Sequence, residues 1–142
     1  LCPETEFFLL DATAKKIRAI EETAEALGLV NVHGLCARAE EAGCGEYRET
    51  FDVVVSRATA ALPMLSELCL PLVRVGGKFV AMKGPRFEEE LALSRPILSG
   101  YQHIGVCGGN ASDLVYIFQY ESPWREHISE IFTHAASLAL PT

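Results

Sequence analysis

The sequence predicts an α/β sheet with helices on both faces, and three observations support this prediction. Short apolar segments alternate with amphipathic segments of helical length along the 142 residues. The third of the short segments, residues 51–55, is apolar on both of its faces, as in a strand covered from two sides. No internal repeat and no low-complexity linker interrupts this order. The chain therefore reads as one sheet-centred domain.

The first elements follow from this pattern. Residues 6–10 are apolar and end at Asp11, which predicts a buried strand. A helix is predicted over residues 14–27, where apolar side chains recur at spacings of three and four. Thr13 can cap this helix, and Gly28 is a natural end. A second strand over residues 29–35, a polar segment over 37–41 and a glycine-containing loop over 43–50 follow.

The second half repeats the alternation. Pro63 suits the first turn of a helix over residues 60–73, and Pro71 should end or kink it. Glu88, Glu89 and Glu90 fall near the start of an acidic helix, where the helix dipole favours them. The remaining predicted elements are a tight turn at 75–77, a strand over 78–82, the acidic helix over 86–98, strands over 101–106 and 114–120 with a turn at 108–110, and a tail helix over 124–139.

Composition excludes several classes of protein. The hydrophobic fraction of 49% and the charged fraction of 22% are typical of a soluble globular protein, and no apolar run approaches the roughly 20 residues that span a bilayer. The formal net charge of -7 argues against nonspecific coating of nucleic acid, although it leaves room for a local basic site. The five cysteines form no C-x-x-C pair, so we expect no zinc site and a reducing, cytoplasmic location.

Polar side chains stand where the predicted strands end, and ligands of such sheets bind beyond the carboxyl ends of the strands. Asp11 ends the first strand and can accept hydrogen bonds from both hydroxyls of a ribose. The alternative is that Asp11 only helps to cap the helix. After the second strand, the Ala39 amide and the Glu40 carboxylate could meet an adenine edge. A solvated loop is the alternative there.

Two cations end the third and fourth strands. Arg57 follows a run of apolar residues, which predicts a partly desolvated guanidinium at the sheet edge, suited to a carboxylate, a phosphate or a base edge. A structural salt bridge to a nearby glutamate is the alternative. Lys83 adds positive charge on the same edge. The sequence contains no G-x-G-x-x-G fingerprint and no G-x-S-x-G elbow, which disfavours a dinucleotide enzyme and a serine hydrolase.

Four segments occur in one order at plausible gaps: FLLDATAKKI (8–17), ARAEE (37–41), FDVVVSRA (51–58) and LPLVRVGGKFVAMKG (70–84). In these segments the chain resembles the bacterial small-subunit (16S) ribosomal RNA guanine-N7 methyltransferases, also called the glucose-inhibited division protein B family. The resemblance covers about residues 6–95. The S-R-A and GG-x-F-x-A-x-K-G pair is the most specific part of it.

The resemblance implies a class I, S-adenosylmethionine-dependent, Rossmann-like fold and methyl transfer to guanine N7 of small-subunit ribosomal RNA. By motif match, Asp11 would lie near the cofactor ribose, and Ala39 and Glu40 would flank the adenosine. Arg57 would line both the cofactor site and the substrate site, and Lys83 would face the RNA. A catalytic base is not assigned.

The chain also departs from the family pattern. The family's first strand and its glycine-rich loop precede the L-L-D strand and are absent here, which suggests a truncated methyltransferase domain over residues 1–121. The tail, residues 122–142, is unlike the family pattern, and Ala111 to Leu114 replaces a segment that is usually basic. Two alternatives therefore stay open: a class I methyltransferase with a small-molecule or protein acceptor, and an inactive, truncated α/β domain.

Overall fold

The computed structural model describes residues 2–57, 60–84, 86–110 and 113–120, with residues 102–110 and 113–120 described by their backbone alone. The chain forms two compact units, the N-terminal unit Leu1–Ala42 and the C-terminal unit Gly43–Thr142. The predicted tail helix over residues 124–139 lies outside the described residues. In chain order the elements are β1 (Phe7–Asp11), α1 (Ala14–Ala26), β2 (Val32–Cys36), α2 (Ala39–Cys44), β3 (Phe51–Arg57), α3 (Leu62–Cys69) with a 3-10 turn (Leu70–Leu72), β4 (Val73–Lys83), α4 (Phe87–Ser94), β5 (Tyr101–Asn110) and β6 (Asp113–Tyr120).

The N-terminal unit is a βαβ unit. Strands β1 and β2 pair in parallel, from Phe7 opposite Val32 to Asp11 opposite Cys36. Helix α1 ends as predicted at Gly28, whose φ of +66° is accessible to glycine at little cost. A Cβ atom at Gly34 would lie 2.6 Å from the Cγ2 atom of Ile17, so the absence of a side chain there lets α1 approach β2 closely.

Strand β1 is not the buried strand that its sequence predicts. Phe7, Phe8 and Leu9 are exposed by 43%, 42% and 38% of their surface. The two-stranded sheet packs against α1, and Ile17 and Ala24 are the buried residues of that helix. The apolar pattern of β1 therefore predicted the strand correctly, but its prediction of burial is wrong.

The C-terminal unit holds a four-stranded mixed sheet in the order β3-β4-β6-β5. Strands β3 and β4 are parallel, whereas β6 is antiparallel to both β4 and β5. The predicted final pair of strands is confirmed, but the turn predicted at residues 108–110 is wrong, because β5 continues to Asn110. This mixed sheet, with the helical crossovers on its face, places the ends of β3 and β4 at one edge, because Arg57 lies opposite Met82.

The main hydrophobic core belongs to this unit. Phe79 and Ala81 of β4 are fully buried and pack with side chains of α3, α4 and the segments that flank them. Pro63 lies in the first turn of α3 and Pro71 in the 3-10 turn that ends it, as predicted. Strand β3 departs from the expectation of two covered faces, because Val53 and Val55 remain exposed by 51% and 57%. The core residues are Leu62, Leu65, Cys69, Leu70, Val73, Phe79, Ala81, Phe87 and Leu98.

An irregular segment interrupts the pairing of β3 with β4. Phe51 lies opposite Val73, but Val53 lies opposite Lys78, so β4 contains three more residues than β3 between these pairs. The tight turn predicted at residues 75–77 is not formed, because these residues belong to β4, where Gly76 has a φ of +79°. A Cβ atom at Gly77 would lie 2.8 Å from the backbone oxygen of Asp52. Glycine is thus required where this irregular segment passes close to β3.

Candidate functional site

In the N-terminal unit, three of the predicted site residues lie at or just beyond the carboxyl ends of the two strands. Asp11 ends β1 opposite Cys36, the last residue of β2, and the helix α2 begins with Ala39 and Glu40 shortly after. The sequence predicted a polar segment here and not a helix. The structure therefore brings the ends of β1 and β2 together, as expected for parallel strands.

Asp11 carries two hydrogen bonds from residues that follow it. Its Oδ1 atom accepts one from the Thr13 backbone amide at 2.8 Å, and its Oδ2 atom accepts one from the Lys16 ammonium at 3.0 Å. The Thr13 amide first and the Lys16 ammonium second lower the pKa of Asp11 below its ordinary value. The carboxylate is therefore ionised at neutral pH and helps to cap α1. Thr13 makes no cap with its own side chain.

Ala39 and Glu40 are both partly buried in the first turn of α2. The amide groups of a first helical turn have no partner within the helix. Just before this turn, the Arg38 amide donates to the Glu41 carboxylate at 3.3 Å. The segment thus has an ordered start, with Glu40 and Glu41 where the helix dipole favours acidic side chains.

Arg57 and Lys83 end neighbouring strands of the C-terminal unit, but their environments differ. Arg57 is exposed, so the predicted partial desolvation of its guanidinium is wrong. Within the described part of the chain, no ion pair involves Arg57. Arg57 lies opposite Met82, one residue before Lys83, which places the two cations at the same edge.

Lys83 is buried, with only 7% of its side chain exposed. Its Nζ atom donates to the Ala60 carbonyl at 2.8 Å and lies 2.6 Å from the Oε2 atom of Glu90 on α4. The same Oε2 atom accepts a hydrogen bond from the Leu62 amide, the first residue of α3, at 2.8 Å. The ammonium of Lys83 therefore has two partners within the chain, and its contact with RNA stays a prediction.

From the sequence, Glu90 was predicted only to lie near the start of a helix. Burial disfavours its charged form, but the Lys83 ammonium and the Leu62 amide together hold the pKa of Glu90 below its ordinary value. Three consecutive glutamates lie in the first turn of α4, and nothing in their sequence distinguishes the one that turns inward. Only the tertiary structure shows that Glu90 is the glutamate that binds Lys83.

Cys69, the buried cysteine among those that the structure describes, lies on α3. Burial raises the pKa of its thiol to about 12. The thiol is therefore protonated at neutral pH and unsuited to nucleophilic chemistry. Cys69 therefore contributes to the hydrophobic core and not to catalysis.

A hollow of about 470 Å³ lies at the opposite end of the N-terminal unit from Asp11, lined by residues that include Glu21, Leu29 and His33. Among the described residues, no three His, Cys, Asp or Glu side chains come close enough together to hold a metal ion. No helix in that part of the chain has the length and apolarity to cross a membrane.

This arrangement of strands and helices is the Rossmann-like fold of class I methyltransferases, as solved structures show. A predicted O-methyltransferase from Agrobacterium tumefaciens matches with a TM-score of 0.65, at 13% identity, over 83% of this chain and 64% of that one. The CurJ carbon methyltransferase matches with a TM-score of 0.64, at 14% identity, over 86% of this chain and 43% of that one. At such identities the likeness establishes the fold alone.

The family model described as rRNA small subunit methyltransferase G matches residues 1–132, and the chain belongs to this family. A relative from Clostridium tetani is 40% identical over 126 residues, which are 88% of this chain and 50% of that protein. One from Staphylococcus saprophyticus is 43% identical, over 85% of this chain and 47% of that protein. Both bear the name ribosomal RNA small subunit methyltransferase G. The chain thus spans about half the length of these relatives.

Proposed function

We propose that the complete polypeptide containing this chain transfers a methyl group from S-adenosylmethionine to N7 of a guanine in small-subunit (16S) ribosomal RNA. The carrying observation is family membership over residues 1–132. A relative from Deinococcus radiodurans, 54% identical over 96 residues, has the same name as the two above. Because the substrate is ribosomal RNA, the proposed place of action is the cytoplasm.

The chemistry of Asp11 fits the ribose of the cofactor. An ionised carboxylate has about four acceptor positions, and the Thr13 amide and the Lys16 ammonium use two of them. The lowered pKa keeps Asp11 in its accepting form. In this proposal Asp11 binds the ribose hydroxyls, while Ala39 and Glu40 flank the adenine, donating from an amide and accepting with a carboxylate.

When bound, S-adenosylmethionine supplies a methyl group that is activated by its sulfonium. Guanine N7 has an exposed lone pair and needs no deprotonation, so the protein has to orient the acceptor rather than remove a proton. This agrees with the absence of an assigned catalytic base in the sequence. Positioning and electrostatics then account for most of the rate acceleration.

The proposed role of Arg57 is to bind an anionic or accepting group at the end of β3. Its exposed guanidinium can donate two parallel hydrogen bonds to a phosphate, to a base edge or to the cofactor carboxylate. Methylation leaves positive charge on the purine, so a cation directly at N7 would oppose the reaction. Contact with O6, a phosphate or the cofactor carboxylate is therefore favoured. A local cation on an acidic chain favours one RNA site over nonspecific coating.

The test is methyl transfer by the complete polypeptide to protein-free 16S ribosomal RNA and to small ribosomal subunits. The expected product is 7-methylguanine at one position, detected by chain cleavage after borohydride and aniline treatment. Asp11→Asn should raise the dissociation constant for S-adenosylhomocysteine, measured by calorimetry. Arg57→Ala should lower transfer to RNA.

Other outcomes point to the alternatives. Binding of S-adenosylhomocysteine without methylation of RNA, combined with methylation of a small molecule or a protein, would assign another acceptor. An absence of both cofactor binding and methylation in the folded, complete polypeptide would show that the domain is inactive. Glu89→Gln, an exposed glutamate on α4, is the matched control that should leave both measurements unchanged.

A further inference from the structure

Two side chains bind the backbone at the start of α3. Lys83 donates a hydrogen bond to the Ala60 carbonyl, and Glu90 accepts one from the Leu62 amide. Ala60 follows Arg57, the last residue of β3, by three positions in the chain.

One carboxylate oxygen connects three elements at this point. The Oε2 atom of Glu90 lies 2.6 Å from the Lys83 ammonium at the end of β4 and accepts the Leu62 amide, 2.8 Å away, at the start of α3. Glu90 itself belongs to α4. The start of α3 is therefore fixed to the end of β4 through a charged pair and not by apolar packing alone.

We propose that Lys83 and Glu90 are positioning residues: by binding the backbone at Ala60 and Leu62, they keep Arg57 oriented for methyl transfer. This inference rests on the proposed function. It assigns Lys83 an indirect role in place of direct contact with RNA phosphate. It also gives Glu90 a role that its place in an acidic helix start did not indicate.

Burial favours the indirect role over a phosphate contact. The Lys83 side chain is 7% exposed, and that of Glu90 is 21% exposed. To reach a phosphate, the ammonium would have to leave a carboxylate in a largely buried site. Removing one partner from a buried ion pair leaves an uncompensated charge, which is strongly unfavourable. The exposed Arg57 carries no such penalty.

The experiment measures methyl transfer to 16S ribosomal RNA by the complete polypeptide with Lys83→Met and with Glu90→Gln. Glutamine at position 90 keeps an acceptor for the Leu62 amide but removes the charge. Both variants should lower kcat/KM by about tenfold to a hundredfold, the range expected when a reacting group is displaced. The double variant should lose little more than the worse single variant, since the two side chains act as a unit.

A cycle with Arg57→Ala separates positioning from general loss of structure. If the pair acts through Arg57, Glu90→Gln should lower the rate much less in the Arg57→Ala background than in the wild type. Equal losses in both backgrounds, with folding verified by circular dichroism, would overturn the proposal in favour of a purely structural pair.

Salt dependence separates positioning from RNA contact. A lost phosphate contact reduces the slope of log affinity against log salt by about 0.7–0.9. Lys83→Met should leave this slope unchanged. A reduced slope for Lys83→Met, with normal activity of Glu90→Gln, would overturn the proposal and assign Lys83 to the RNA. Lys78→Met and Glu89→Gln, which replace exposed residues on β4 and α4, are the matched controls.

The two proposals fail in different ways. If the wild-type polypeptide methylates no RNA, both the proposed function and the positioning role are wrong. If the wild type methylates RNA but Lys83→Met and Glu90→Gln leave kcat/KM unchanged, only the positioning role is wrong.

Discussion

The two units use similar strands with different results. Strand β1 has four apolar residues in succession, Phe7 to Leu10, yet its first three remain substantially exposed. Strand β4 is less apolar but buries Phe79 and Ala81 completely. The difference lies in the layers that cover each strand, since α3 and α4 pack together over the core that contains β4. An apolar strand thus indicates a sheet, whereas burial depends on what the rest of the chain packs against it.

The largest test of this comparison replaces one phenylalanine in each unit. Phe79→Ala removes a fully buried ring and should lower the free energy of unfolding by about 3–5 kcal/mol. Phe8→Ala removes a ring that is 42% exposed and should cost about 1 kcal/mol or less. Urea denaturation of both variants measures the two losses. Equal losses would mean that Phe8 is covered in solution, and the contrast between the units would disappear.

Two glycines provide a test of intermediate size. Gly77→Ala would bring a Cβ atom within 2.8 Å of the Asp52 backbone oxygen, and we expect a loss of about 1–3 kcal/mol in unfolding free energy. Gly34→Ala meets side-chain atoms of Ile17 and Glu21 at 2.6 and 2.8 Å, which can move more easily than backbone. Its loss should therefore be the smaller of the two, as thermal denaturation would show. The reverse order would indicate that α1 is held more rigidly than the irregular segment of β4.

The smallest effect is a dependence on pH. Glu90 has a lowered pKa in the folded state, so its ion pair stabilises the C-terminal unit above the ordinary glutamate value of 4.5. This stabilisation declines as the pH falls below about 4.5 and is lost once the pH passes the lower, folded value. Hydrogen exchange of the Leu62 amide, followed between pH 6 and pH 3 at about one-unit steps, should therefore report weakening protection.

Glu90→Gln is the control for this pH effect, and it should remove most of the pH dependence of the Leu62 amide protection. Asp11 of the N-terminal unit also has a lowered pKa, with an ordinary value of 3.8, so its contribution should decline at lower pH than that of Glu90. Unchanged protection of the Leu62 amide throughout the titration would show that Glu90 is not its main acceptor.

Local signals predicted much of the fold. Gly28 ended α1, Pro63 opened α3 and Pro71 ended it, because these residues restrict or extend the backbone regardless of distant contacts. The six-residue α2 was missed, since so short a helix has little periodicity of its own and contains Gly43. The exposure of β1 and β3 was missed because a strand does not encode how many layers cover it.

The placement of the candidate residues at strand ends was predictable, whereas the partners of their side chains were less so. Parallel pairing places Asp11 opposite Cys36, three residues before Ala39, in one unit, and Arg57 opposite Met82, the neighbour of Lys83, in the other. The sequence could not show that Lys83 is buried against Glu90, because that pairing joins the end of a strand to one of three adjacent glutamates across a turn. The sequence shows which residues end the strands, but tertiary packing determines which side chains they bind.

The irregular segment between Phe51 and Val53 has a consequence for how the chain tolerates change. Three extra residues of β4 are accommodated at the amino end of the β3–β4 pair, and from Val53 onward the pairing is regular to Arg57. Insertions or deletions at residues 74–76 would therefore alter the rim of the sheet farthest from Arg57 and Lys83. A change of chain length at that rim should leave Arg57 opposite Met82, because the pairing from Val53 to Arg57 lies beyond it.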